Sequence, residues 1–180
     1  MPTLTEALFR ADLTESGLYE GSATLDQTTS FMVFSQSPYA TIDAGVWERK
    51  AATFLEMRFG LVVPKVYDTP LPSSDAALVV IATREGKGSL RLIQGRPRNA
   101  NDIERAKNGE HLGAVGGGLF DLAMRCPSVW LVEAKDEDDH AALAIATIIA
   151  MVHLGPIVPP SGDALFGVRT ARMKLAARDG

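Results

Sequence analysis

ALVVIATREGKGSLRLIQ, residues 77–94, is the stretch on which the fold turns. ALVVIAT (77–83) is apolar on both faces. SLRLIQ (89–94) alternates Leu90 and Leu92 with Ser89 and Arg91, and the polar, glycine-containing REGKG separates the two runs. Two β-favouring runs joined by a short turn segment predict a hairpin. A hairpin makes antiparallel neighbours, whereas parallel strands need long crossovers.

Downstream, QGRPRNA reads as a loop, and Asn101 or Asp102 caps a short helix over 102–107. A helix over 119–125 stops at Cys126–Pro127, because the residue before proline avoids helical angles. SVWLVEA (128–134) reads as a buried strand. The acidic DEDDH (136–140) opens a long apolar helix near 137–153, PIVPPSG is a rigid connector, and Asp163 caps a last helix over 164–177.

Upstream, residues 3–13 carry a short amphipathic pattern with Leu4, Ala7 and Leu8 on one face, and 18–24 and 28–34 read as strands. Residues 42–59 read as a helix capped by Thr41, with Asp43 in its first turn and Gly60 at its end. Its apolar residues, Phe54 and Leu55 among them, spread over a sector broad enough for more than one neighbour. LVVPKVY (61–67) is an edge strand or a bulge, since Pro64 cannot donate to a ladder. Strict β-α alternation is absent. The expected class is therefore α+β: one domain over 1–180, with a mixed, mainly antiparallel sheet of about 5–6 strands covered by helices.

Composition bounds the function. The chain has 180 residues, is 46% hydrophobic and 22% charged, and carries a net charge of −4. That balance predicts a folded domain with no nucleic-acid partner, since such binding rests on clustered Lys and Arg. A single cysteine, Cys126, excludes an intramolecular disulfide and any metal site built on two cysteines. The start lacks a basic segment followed by an apolar one, so the expected location is cytoplasmic. AALAIATIIAMV (141–152) is shorter than the roughly 20 residues a membrane span requires, and no membrane partner is expected.

HLGAVGGGLFDLA (111–123) is the stretch most like a functional loop. Gly113 and Gly118 have P-loop spacing, but Leu119 and Phe120 stand where Lys and Ser or Thr belong. The dinucleotide pattern fails at Asp121, where its third glycine should be. Three readings survive, one of them a mobile flap over a pocket, since three consecutive glycines lose much backbone entropy on ordering. The glycines allow tight backbone conformations, or the N–H groups of Gly116, Gly117 and Gly118 receive an anion with help from Arg96 and Arg98. His111, Glu110 and Asp121 are the weak candidates for acid–base catalysis around that loop.

The other chemistry-bearing residues carry structural readings. His140 and His153 lie about 220° apart around one helix, so they cannot share a metal. His140 belongs to a first helical turn, and His153 is expected to satisfy a carbonyl at the helix end. No metal and no cofactor is expected. Cys126 is expected to be a buried thiol at a helix C-terminal end, and Asp136, Glu137, Asp138 and Asp139 to favour a helix start. Arg91, Arg169 and Arg172 complete the arginines suited to anion contacts.

The reading with fewest demands is an assembly or regulatory protein without an evident catalytic motif, forming a homo-oligomer through the apolar helix or the last one and meeting a protein partner. The alternative is a small anionic-ligand-binding protein, or an enzyme, with its site near 111–120. Whether the chain is an enzyme stays open at this point.

Overall fold

The computed structural model describes residues 25, 27–37, 43–61, 77–84, 87–113 and 118–179. The expected helix over 3–13 and strand over 18–24, most of LVVPKVY, the TPLPSSD loop, and Gly116 and Gly117 lie outside the described residues.

The hairpin forms, and its arms are longer than the apolar pattern implies. Strand β3 (Ala77–Arg84) and strand β4 (Lys87–Pro97) pair antiparallel from Ala77↔Gln94 to Arg84↔Lys87. Around them stand β1 (Ser30–Ser35), β2 (Arg58–Leu61), β5 (Ser128–Glu133) and β6 (Ile157–Val158). The order is β2-β3-β4-β5-β1-β6, and every neighbouring pair is antiparallel. The α+β class holds. The segment read as a rigid connector contributes β6 instead, because Ile157 and Val158 find partners in Val33 and Met32.

Strand alternation explains the layers. Along β1, Phe31 and Val33 face one way and Met32 and Phe34 the other; along β5, Trp130 and Val132 oppose Val129 and Leu131. Both sets are buried, so both faces need covers. One face receives α1 (Ala44–Leu55), α4 (His140–His153) and α5 (Val168–Asp179); the other receives α2 (Ala100–Leu112) and α3 (Leu119–Met124).

Helix α4 is apolar all round because it is covered all round within one chain. It packs on β1 and β5 on one side and on α1 and α5 on the other. Residues 142–150 are all buried, and the Thr147 hydroxyl donates to the Leu143 carbonyl at 2.7 Å. A second subunit is not needed to bury it.

Several boundaries differ from the sequence reading, each for a local reason. Asp43 caps α1, accepting from Val46 N at 3.1 Å, while Thr41 lies outside the described residues. That helix stops at Leu55 rather than near Gly60: Glu56 takes a left-handed conformation, which frees Arg58–Leu61 to pair with β3. Helix α2 starts earlier than 102 and runs past 107, because Asn99 caps it and Asp102 closes a reciprocal capping box. The last helix begins at Val168, not 164. Phe166 is held in a bridge to Ile157, so the chain there is still extended.

Candidate functional site

The residues around the glycine stretch come together in part, and they are engaged with the protein itself. Glu110, in the last turn of α2, accepts from Gly118 N at 3.0 Å and from Phe120 N at 3.1 Å. Of the N–H groups read as an anion cradle, that of Gly118 thus holds an internal carboxylate, while Gly116 and Gly117 lie outside the described residues. Gly118 has φ 107° with open space around it, so conformation rather than crowding calls for glycine there. His111 is exposed at the end of α2, and Asp121 is exposed in the first turn of α3.

Arg96 and Arg98 do not converge on that carboxylate. Arg96 grips Asp102 through two bonds of 2.6 and 2.8 Å. Arg98 donates to the carbonyls of Ala123, Met124 and Cys126 at 3.2, 2.7 and 2.9 Å. Helix α3 is therefore clasped by an acid at its N-terminus and a base at its C-terminus, the arrangement its peptide dipoles favour.

The buried Cys126 thiol donates to Leu122 O at 3.3 Å, and burial pushes its pKa up to about 11 despite Arg98 and Arg125 nearby. Arg91 and Asp139 form a buried two-point ion pair, both bonds 2.9 Å, and Asp139 also caps α4 by accepting from Ala142 N. The expectation for His153 is corrected. No partner meets its Nε2, and its ring instead lies against Trp47 and Trp130, at centroid distances of 5.6 and 6.1 Å. Burial holds its pKa down to about 4. Among the described residues, no group of three or more His, Cys, Asp or Glu is placed to hold a metal ion. Among them, too, no helix is long and apolar enough to cross a membrane.

Helices α1 and α5 frame a different feature. Where the C-terminal end of α1 meets α5, an open groove of about 890 Å³ forms. Phe54, Leu55 and Met57 line one wall; Val168, Met173 and Leu175 line the other; His140 of α4 also borders it. Phe54 is 40% exposed and Met173 65%. The charged residues on the lining are Glu56, Arg169 and Arg172. The Arg172 guanidinium stands 5.4 Å from the Phe54 ring centre and the Lys50 ammonium 5.3 Å from it. Among the described residues, no carboxylate pairs with Arg169 or Arg172.

Arg169 and Arg172 are among the arginines whose type suits anion contacts, and Phe54 belongs to the broad apolar sector of α1, but no local pattern in the sequence joins them. The sector's width was the available signal, since an apolar stripe wider than its own packing needs leaves side chains uncovered.

Comparison of the chain with protein families, with curated proteins and with solved structures gives no match in any of the three.

Proposed function

We propose that the chain is a non-catalytic assembly or regulatory protein that docks a protein partner in the groove between α1 and α5. The single observation behind this is the pairing of uncovered apolar side chains, Phe54 and Met173, with two arginines that meet no carboxylate among the described residues. Apolar area exposed beside available charge is the composition of a recognition surface. The proposal places the protein in the cytoplasm, where its single thiol stays reduced.

The experiment is site-specific photo-crosslinking in the organism of origin. A benzophenone side chain replaces Met173 in one variant and Lys107, on α2 across the sheet, in another. The expected result is a discrete adduct with a second polypeptide from position 173 and none from 107. Equal adducts from both positions, or none from 173, end the proposal. Self-association is separable from the groove. Light scattering at micromolar concentration is expected to show more than a monomer, and a clean monomer removes that part alone.

The alternative, a small-anion or catalytic site near 111–120, requires Arg96, Arg98 and Glu110 to leave their internal bonds. An anionic metabolite that raises the melting temperature of the native chain, but not of Arg96→Ala/Arg98→Ala, restores it.

A further inference from the structure

We infer that the occupant of the α1–α5 groove is an acidic amphipathic helix contributed by a different protein. This rests on the docking reading above and gives the partner a chemistry.

The groove's walls favour a helix. Helices α1 and α5 both pack on α4 and supply the two walls, and the first residue of α4, His140, borders the channel between them. An amphipathic helix fills such a channel by laying one apolar stripe into it, with its polar face outward. Phe54 and Met173 offer apolar contact on opposite walls.

The charge selects the sign. The chain as a whole carries −4, yet this lining presents Arg169 and Arg172 against one carboxylate, Glu56. Two cations, Lys50 and Arg172, also stand against the single Phe54 ring. Like charges gathered around an exposed aromatic repel one another, and an incoming carboxylate relieves that repulsion. A second copy meeting this face with its own would bring the same cations, so charge complementarity points to another protein.

The test uses the full-length, isotope-labelled chain and three synthetic peptides of about 14 residues, four helical turns. The first carries Leu at helical spacing with Glu on the opposite face. The second replaces each Glu by Lys. The third scrambles the first. The Glu peptide is expected to shift the amide signals of Phe54 and Met173, with an affinity that falls as salt rises. Arg169→Glu/Arg172→Glu is expected to weaken it at least tenfold at an unchanged unfolding midpoint, both side chains being exposed. Three results overturn the inference: equal binding of the Lys or the scrambled peptide, shifts confined to other faces, or a crosslink at position 173 with twice the chain's mass. A heterologous crosslink at 173 without Glu-peptide binding leaves the docking reading intact and refutes only the acidic helix. Absence of both refutes the two together.

Discussion

Arg91 and Asp139 meet through two parallel hydrogen bonds, Nε to Oδ2 and Nη2 to Oδ1, each 2.9 Å, with side chains only 7% and 4% exposed. The pair fastens β4 to the start of α4. The same carboxylate accepts from Lys135 N at 2.8 Å and Ala142 N at 3.1 Å, so one side chain carries a strand–helix tie and a helix cap. Asp139→Asn is expected to lower unfolding free energy by about 3–5 kcal/mol, because it removes the charged partner that holds the buried Arg91 through two hydrogen bonds. Urea denaturation of the two chains at neutral pH measures it. A loss under about 1 kcal/mol contradicts the assignment.

The pH dependence of that tie has a definite sign. Burial works to raise the Asp139 pKa, but Arg91 and the two N–H donors outweigh it, so the carboxyl sits below its ordinary 3.8. A folded value below the unfolded one gives stability that is complete above the ordinary value and lost as pH falls through the folded one. The native chain should therefore lose this contribution only below about pH 4.

His153 acts in a separate window. Its folded pKa of about 4 lies below the ordinary 6.5, so the folded state binds its proton later than the unfolded chain does. Stability from neutral His153 is complete above 6.5 and declines as pH falls towards 4, with a slope of at most about 1.4 kcal/mol per pH unit. His153→Leu should flatten the stability profile between those values. An unaltered slope in the variant assigns the decline to other groups.

Two glycines should respond differently to alanine. A Cβ at Gly155 collides with the carbonyl of Phe34, which is backbone in a central strand and cannot swing aside. Gly155→Ala is expected to cost at least about 3 kcal/mol or to prevent folding. Gly118 has open space, so Gly118→Ala should cost only its left-handed conformation, about 1–2 kcal/mol. Thermal melts of the two variants separate crowding from conformation.

Glu110→Ala should cost about 1 kcal/mol, through loss of the bonds to Gly118 and Phe120, and should raise hydrogen exchange at those two amides. Unaltered exchange rates contradict the bond.

What the sequence disclosed follows the range of the physics. The 77–94 hairpin, α4 and the 128–133 strand were legible because local apolar patterns decide them. The Asn99–Asp102 capping box has a readable spacing, but Asn101 and Asp102 are equally good caps by type, and only the reciprocal bonds single out Asn99. Strand β6 was not legible. Two residues between prolines become a strand only by meeting Met32 and Val33. The engagement of Arg96 by Asp102 and of Glu110 by Gly118 depends on turns between elements, so the charges alone suggested a ligand. The groove needs two helices distant in sequence to meet, which no local window contains.

Strand β1 lies between β5 and β6, so Met32 faces Leu131 on one side and Val158 on the other. During synthesis the ribosome delivers β1 well before either of its neighbours, β5 and β6. This inner strand must wait, apolar on both faces, until β5 has emerged. Pairing across such sequence distances is slow. Arrest of translation before residue 128 should thus leave β1 without either partner and the nascent chain dependent on chaperones, whereas the β3–β4 hairpin can close as soon as it leaves the tunnel.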